Sequence, residues 1–148
     1  MIERTTASLA RTLAAEFKIL AIVGPRQSGK TTLARAVFPE RPYVSLEAPD
    51  SLRYAREDAR RFLAQYPSGA VIDEIQRCPE LSSYLQGLVD ERPGSGQFIL
   101  TGSQHFGLMQ GLTQSLAGRV GFLRLLPFSF AELHNAGCAP GSVEEMLF

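Results

Sequence analysis

The residues with the clearest chemical meaning form one short run, Gly24-Pro25-Arg26-Gln27-Ser28-Gly29-Lys30-Thr31. This run fits G-x-x-x-x-G-K-[ST], the pattern of a loop that binds phosphate groups. A phosphate chain carries several negative charges, and many converging N–H donors are needed to stabilise it. The pattern predicts that backbone amides point inward as an anion-binding nest, because Gly24 and Gly29 permit close approach and unusual backbone conformations.

The end of the loop adds groups that backbone amides cannot supply. The ammonium of Lys30 is expected to reach the β- and γ-phosphates of ATP, and the hydroxyl of Thr31 to bind Mg²⁺. A helix that begins near Gly29 would direct the positive end of its dipole at the phosphates. The nucleotide is expected to contact the loop and the residue that follows it, namely Gly24, Pro25, Arg26, Gln27, Ser28, Gly29, Lys30, Thr31 and Thr32.

The segments on either side are those that such a loop requires. Residues 19–23 are all apolar and end at the first glycine, which is typical of a strand buried on both faces of a parallel sheet. Residues 32–38 place Leu33, Ala34 and Val37 on one helical face before Pro39 ends the helix. A strand, a glycine loop and a helix in this order favour phosphate binding over a chance match.

Two adjacent carboxylates, Asp73 and Glu74, are the second candidate group. They follow the apolar residues 70–72, so we expect them at the carboxyl end of a buried strand, on the same sheet edge as the loop. Asp73 fits the role of holding Mg²⁺ together with Thr31. Glu74, one residue further, could orient and deprotonate the water that attacks the γ-phosphate. An acidic pair that caps a turn is the structural alternative.

Strand-like and helix-like segments alternate along the chain. Predicted strands cover residues 19–23, 42–46, 70–74, 98–101 and 120–125, and predicted helices cover residues 32–38, 49–66, 79–91 and 106–116. This alternation predicts a three-layer α/β fold with about five, mainly parallel, strands and helices on both faces. The ligand is expected at the carboxyl ends of the strands.

The strand order along the chain points to a third group of site residues. A strand at residues 42–46 separates the loop strand from the acidic strand, and another apolar strand follows. This arrangement resembles P-loop ATPases of the additional-strand group, in which the strand ending in Thr101-Gly102-Ser103 would lie between the other two. Thr101 or Ser103 could then bind the attacking water or the γ-phosphate, and we favour Ser103 slightly. A simple strand-ending turn is the alternative.

Arg119 precedes the last predicted strand. AAA-type ATPases commonly carry an arginine finger at that place, and the resemblance implies a cation that stabilises transition-state charge. Acting in this way, Arg119 would reach the site of a neighbouring subunit, which implies a homo-oligomer. Local pairing of the arginine, or capping of the preceding helix, is the alternative.

The composition is that of an ordinary globular domain. The 148 residues are 45% hydrophobic and 20% charged, and 15 basic residues balance 15 acidic ones, so no clear nucleic-acid surface is expected. No apolar run approaches the roughly 18 residues of a membrane span, and no hydrophobic signal core is visible. A cytoplasmic location is expected, and the two cysteines fit no metal-ligand spacing.

The N-terminal segment, residues 2–18, has Leu9, Leu13 and Phe17 at helical spacing. This spacing predicts a helix that docks on the sheet. A transit peptide is the alternative, and the acidic residues Glu3 and Glu16 disfavour it.

The predicted helix at residues 49–66 carries Arg53, Arg56 and Arg60 on one face, which could contact nucleic acid. Glu57, however, lies four residues from both Arg53 and Arg61, and pairs of opposite charge at this spacing interact on a helix. We therefore favour a solvated face whose charges compensate each other.

Several motifs together carry a family resemblance. They are Gly-Pro-Arg-Gln-Ser-Gly-Lys-Thr-Thr-Leu from residue 24, Leu46-Glu47, Ile72-Asp73-Glu74-Ile75-Gln76, Leu100-Thr101-Gly102-Ser103 and Leu116-Ala117-Gly118-Arg119. The chain resembles the AAA-type ATPase domain of a prokaryotic family in which this domain precedes a C-terminal domain of unknown function. Relatives of this type continue for a couple of hundred residues more. The resemblance thus implies that residues 1–148 are an ATPase core without its lid and C-terminal domain.

Mg²⁺-dependent hydrolysis of ATP is the leading functional hypothesis. A nucleotide-binding switch with little turnover of its own remains open, because the same motif residues would serve it. A small-molecule kinase is the third hypothesis. It is disfavoured because no segment offers an acceptor pocket or a mobile lid, and because Glu74 suits activation of water better.

Overall fold

The chain folds into three layers, with a parallel sheet between two layers of helices, as predicted. The computed structural model describes residues 6–103 and 106–126, so residues 127–148 of the predicted domain lie outside it. The strands within these ranges are β1 (Ile19–Gly24), β2 (Tyr43–Ser45), β3 (Ala70–Asp73), β4 (Phe98–Ser103) and β5 (Val120–Arg124). The α-helices are α1 (Ala7–Glu16), α2 (Lys30–Val37), α3 (Pro49–Glu57), α4 (Ala59–Ala64), α5 (Leu81–Glu91) and α6 (Phe106–Ser115), and a 3-10 helix covers Ile75–Arg77. None of these helices has the length and apolar character needed to cross a membrane.

The sheet has the order β2-β3-β4-β1-β5, and all neighbouring strands are parallel. β4 therefore lies between the loop strand β1 and the acidic strand β3, as the additional-strand arrangement predicts. The register pairs Ile22 with Thr101 and Gly24 with Ser103. Because parallel strands end at the same edge, the loop, Asp73 and Ser103 meet at the carboxyl edge of the sheet.

Both faces of β1 are covered, and all six of its residues are buried. Ile19, Ala21 and Val23 belong to the larger core cluster, with buried side chains from α3, α4, α5 and α6. Leu20 and Ile22 belong to a second cluster with α1 and α2. Full burial of an aliphatic side chain contributes about 1.5–3 kcal/mol, so the strand that carries the loop is anchored from both sides.

The N-terminal helix α1 packs against β5 and α2, but Leu9 takes no part in this packing. Leu9 is 46% exposed, whereas Ala10 and Ala14 are buried and Leu13 packs partly against the same cluster. The prediction of a docked helix is confirmed, and the contribution expected of Leu9 is wrong. The small side chains of Ala10 and Ala14 allow α1 to pack closely against both β5 and α2.

The predicted helix at residues 49–66 is two helices, separated at Asp58. The carboxylate of Asp58 accepts a hydrogen bond from the backbone N–H of Arg61 at 3.1 Å, which is the bond of an N-cap residue. Arg60 therefore does not continue the helical face of Arg53 and Arg56. The side chain of Arg61 lies 3.8 Å from Asp58, its i−3 neighbour, rather than pairing as expected with Glu57.

Candidate nucleotide-binding site

The loop between β1 and α2 has the backbone of an anion-binding turn. Gln27 (φ 61°) and Gly29 (φ 87°) lie in the left-handed region, and α2 begins at the next residue, Lys30. Residues of this conformation help a loop to turn successive N–H groups to one side. Gly24 has a different reason to be glycine, since a Cβ atom there would lie 2.1 Å from the carbonyl oxygen of Leu125.

The ammonium of Lys30 is buried within this loop, and the residue is only 7% exposed. It donates to the carbonyl oxygens of Gly24 at 3.1 Å and Pro25 at 2.8 Å. The hydroxyl of Ser28 donates to the same Pro25 oxygen at 2.8 Å. Among the ion pairs of the described residues none includes Lys30. Two backbone carbonyl groups hold this buried ammonium, and no carboxylate among the described residues neutralises it. An anion beside the ammonium would stabilise it, and a phosphate group fits that role.

Asp73, at the end of β3, accepts hydrogen bonds from hydroxyl groups on α2, β2 and β4, and the residue is only 5% exposed. Its Oδ1 atom accepts hydrogen bonds from Thr31 at 2.6 Å and from Thr101. Its Oδ2 atom accepts from Tyr43 at 3.0 Å and more weakly from Ser45 at 3.4 Å. All four donors are neutral hydroxyl groups, so none of them neutralises the carboxylate.

Glu74 follows β3 in the left-handed region, with φ 61° and ψ 52°. Its backbone N–H donates to the hydroxyl of Thr101 at 3.2 Å. Its carboxylate accepts a hydrogen bond from the side-chain amide of Gln76. The other end of that amide accepts from the backbone N–H of Ser103 at 3.3 Å. The carboxylates of Asp73 and Glu74 are adjacent in sequence but have different hydrogen-bond partners. This difference is consistent with separate roles for the two residues.

Thr101 and Ser103 lie in different surroundings. Thr101 is fully buried and its hydroxyl is engaged with Asp73, whereas Ser103 is partly exposed. Ser103 also lines the cavity at the carboxyl edge. This placement fits our slight preference for Ser103 as the residue that binds water or phosphate, and that role remains a prediction.

A cavity of about 420 Å³ opens at this edge of the sheet. Its lining is Arg26, Gln27, Gly29, Lys30, Thr31, Thr32, Glu47, Glu74, Gln76 and Ser103. The volume lies in the range of small-molecule sites. Of the predicted contacts, Gly24, Pro25 and Ser28 are absent from this lining: Ser28 is buried, and the carbonyls of Gly24 and Pro25 hold Lys30. Those three residues shape the loop rather than line the cavity.

The side chains at this edge supply too few ligands to bind Mg²⁺ alone, but they suit Mg²⁺ that is also bound to a phosphate. Within residues 6–103 and 106–126, no group of three or more histidine, cysteine, aspartate or glutamate side chains could hold a metal ion. The hydroxyl of Thr31 and the carboxylate of Asp73 supply two oxygen atoms. Mg²⁺ is ordinarily bound by one or two carboxylates together with water and substrate phosphates, so this small set suits it.

The side chain of Tyr43 lies next to Asp73, to which its hydroxyl donates. The guanidinium of Arg35 lies 4.4 Å from the centre of that ring, a cation–π contact. Burial, and then the neighbouring negative charge of Asp73, raise the pKa of the Tyr43 phenol. The phenol therefore keeps its proton and remains a donor to Asp73.

Arg119 lies at the opposite edge of the sheet. Its carbonyl oxygen accepts from the N–H of Ile19, at the start of β1. Its guanidinium makes two hydrogen bonds to Asp90, Nε to Oδ1 at 2.7 Å and Nη2 to Oδ2 at 2.8 Å. This pairing lowers the pKa of Asp90. Arg119 is therefore not close to the phosphate loop of its own chain. The alternative considered from the sequence, that Arg119 pairs locally, is the arrangement present.

Sequence reasoning assigned no role to three residues of the site: Gln76, Tyr43 and Glu47. Gln76 and Glu47 stand in motifs that carry the family resemblance, yet nothing in those motifs indicates a task. Tyr43 begins a short strand and gives no signal beyond its strand propensity.

Comparison with known protein families and relatives shows which family the chain resembles. The model of the AAA domain family matches residues 16–134. Uncharacterized proteins of Mycobacterium bovis and of Mycobacterium tuberculosis are each 35% identical over 108 residues, which is 72% of this chain and 24% of theirs. The chain thus spans about a quarter of the length of these curated relatives.

A solved structure gives the same fold. Domain III of the replication initiation protein DnaA from Thermotoga maritima superposes with a TM-score of 0.57 at 17% identity. The match covers 97% of this chain and 75% of that domain. Because the family model matches most of the length of the chain, the chain belongs to the AAA domain family.

Proposed function

We propose that this chain is the core of an ATPase that binds and hydrolyses ATP with Mg²⁺. One observation supports this most strongly. The hydroxyl of Thr31, at the end of the phosphate loop, lies 2.6 Å from the carboxylate of Asp73, 42 residues further along the chain. This contact brings the two groups that would share a magnesium ion to one point, beside the buried Lys30.

Each residue of the site has a separate task in this proposal. Lys30 and the loop amides hold the triphosphate, and Thr31 and Asp73 hold Mg²⁺. The carboxylate of Glu74 accepts a proton from water as the water oxygen bonds to the γ-phosphorus. The bond from the γ-phosphorus to the bridging oxygen breaks, and ADP and phosphate leave. Mg²⁺, when bound, neutralises charge on the β- and γ-phosphate oxygens.

The test compares phosphate release with nucleotide binding in matched variants. Release by the chain should require Mg²⁺ and stop on addition of EDTA. Glu74→Gln should keep ATP affinity, measured by calorimetry, and lose release, because the amide cannot accept the proton. Glu40→Gln makes the same chemical change at an exposed glutamate after α2 and should leave both unchanged. Unchanged release in Glu74→Gln would remove Glu74 from this role.

A nucleotide-binding switch with little turnover is the second candidate, and the position of Arg119 favours it. Arg119 is bonded to Asp90 at the far edge of the sheet, so this arginine does not reach the site of its own chain. If a finger in trans is required, hydrolysis per subunit should rise steeply with protein concentration. Arg119→Ala should abolish that rise, and Arg11→Ala, at an exposed position on α1, should not. A rate that stays flat and negligible supports the switch.

A further inference from the structure

We propose that Gln76 is a positioning residue for hydrolysis, through which a single side-chain amide ties the carboxylate of Glu74 to the end of β4 at Ser103. The inference rests on the proposed function, because it assigns to Glu74 a supporting group for the proton transfer. Gln76 itself need not touch the reacting atoms. It acts through Glu74.

The two ends of the Gln76 amide have different partners. Its Nε2 atom donates to Oε2 of Glu74, and its Oε1 atom accepts from the backbone N–H of Ser103 at 3.3 Å. An ionised carboxylate only accepts hydrogen bonds and a backbone N–H only donates them. A primary amide meets both demands at once, because it carries a donor at one atom and an acceptor at another. If the amide were rotated by half a turn, its oxygen would face the Glu74 carboxylate and its NH₂ group would face the N–H of Ser103. Both contacts are unfavourable, so the two partners determine the orientation of the amide.

The local backbone brings Gln76 back towards Glu74. Gln76 is the middle residue of the 3-10 helix Ile75–Arg77, and the N–H of Arg77 donates to the carbonyl oxygen of Glu74 at 3.0 Å. This turn begins where β3 ends, so the chain reverses rather than continuing away from the sheet. The side chain of residue 76 can therefore reach both the carboxylate two residues earlier and the neighbouring strand.

β4 holds Glu74 at two separate points. The hydroxyl of Thr101 accepts from the backbone N–H of Glu74 at 3.2 Å, and Ser103 holds its carboxylate through Gln76. Ser103 is paired with Gly24, the first residue of the phosphate loop. Glu74, Gln76 and Ser103 all line the same cavity. The position of the proposed base is thus coupled, through one amide, to the strand end that lies beside the phosphate loop.

Three substitutions at position 76 separate positioning from packing. Gln76→Ala removes both hydrogen bonds, and kcat should fall about 10- to 100-fold, the loss that removal of an outer-shell hydrogen-bond partner typically causes at a metal site. Gln76→Glu keeps the size and shape but sets a carboxylate against Glu74, so it should be at least as impaired as alanine. Gln76→Asn is one methylene shorter and should not span both partners. ATP affinity should stay unchanged in Gln76→Ala and Gln76→Asn, whereas the added negative charge of Gln76→Glu should weaken it, because residue 76 lines the cavity.

The control variant is Gln114→Ala, which removes the same amide from an exposed position on α6 and should leave kcat unchanged. A packing role would give a different pattern, because the isosteric glutamate would keep parental kcat while alanine lowered stability and ATP affinity together. Parental kcat in Gln76→Glu would therefore overturn the inference, as would parental kcat in Gln76→Ala.

Hydrogen exchange tests the bridge without relying on turnover. In Gln76→Ala the backbone amide of Ser103 should exchange about fivefold faster, the factor expected for the loss of one hydrogen bond. The amide of Leu100, within the same strand, should be unchanged. Equal exchange at Ser103 in parent and variant would overturn the bridge. By contrast, absence of Mg²⁺-dependent phosphate release by the parent, or full release in Glu74→Gln, would count against the proposed function and would leave the exchange result to decide on the bridge.

Discussion

The phenolic hydroxyl of Tyr43 donates a hydrogen bond to Oδ2 of Asp73 at 3.0 Å, while the guanidinium of Arg35 covers the face of its ring. The other carboxylate oxygen of Asp73 is held by Thr31 and Thr101. The two oxygen atoms therefore have separate sets of donors. Tyr43 supports the carboxylate from the side of β2, and the threonines support it from the side of the loop and β4.

Tyr43→Phe tests this division. It should lower the free energy of unfolding by about 0.5–1.5 kcal/mol, the usual net value of a hydrogen bond, and nearer the lower figure because the ring is partly exposed. ATP affinity should be unchanged because Oδ1 keeps both threonine donors. Urea unfolding and calorimetry measure these quantities. Tyr84→Phe, at an exposed tyrosine, is the control, and a large loss of ATP affinity in Tyr43→Phe would contradict the division.

Lys30→Ala should weaken ATP binding about 100-fold, which is the size expected for losing one or two charge-assisted hydrogen bonds. Titration of each variant with ATP by calorimetry measures the effect. Lys18, the other lysine of the chain, provides the control. Its ammonium donates to the carbonyl oxygen of Val89 at 2.8 Å, away from the cavity, so Lys18→Ala should keep ATP affinity. Equal losses in the two variants would indicate nonspecific electrostatic binding.

Gly24→Ala should destabilise the protein by about 1–3 kcal/mol or prevent folding, because the added methyl group would meet the carbonyl oxygen of Leu125 on the neighbouring chain segment. Gly87→Ala is the opposite case, since nothing lies within 4 Å of a Cβ atom at that position in α5. Alanine there should stabilise the protein by about 0.5–1 kcal/mol through helix propensity. Thermal unfolding measures the midpoint temperature of each variant. Equal shifts of that temperature in both variants would show that the contact with Leu125 does not explain the glycine at position 24.

Cys78 should make stability fall in alkaline solution. Burial, reinforced by the neighbouring Glu80, raises the pKa of its thiol from 9.0 to about 11. Between these values the unfolded chain loses the thiol proton and the folded chain keeps it, so the free energy of unfolding decreases as pH rises. The slope is at most about 1.4 kcal/mol per pH unit. The loss begins near pH 9, where the unfolded thiol ionises.

Cys78→Ala removes this contribution while leaving the tyrosines in place. The difference in unfolding free energy between parent and variant should therefore shrink as pH rises from 9 to 11. Urea unfolding at closely spaced pH values measures it. A difference that stays constant over this range would show that the thiol ionises equally in both states.

Features that depend on neighbouring residues were predictable from the sequence. The loop, its strand and its helix lie within twenty residues, and residue type and spacing are enough to recognise them. The acidic pair was recognised because a buried strand precedes it. Its location at the loop then follows from the common edge of parallel strands.

Features that depend on side chains meeting across the fold were not predictable. Gln76 reaches Ser103, 27 residues further along the chain, and Arg119 reaches Asp90, 29 residues earlier. No periodicity in the sequence reports such pairs. The break at Asp58 was missed for a different reason, because a capping carboxylate within a charged helical pattern is easily interpreted as part of the helix.

The backbone of Glu74 has an energetic consequence of its own. A non-glycine residue in the left-handed region costs about 1–2 kcal/mol, and glycine would remove most of that cost. A search for heat-resistant variants that scored survival alone would thus favour glycine at position 74 and discard the carboxylate. In the proposed mechanism, thermal stability and turnover therefore favour different residues at position 74.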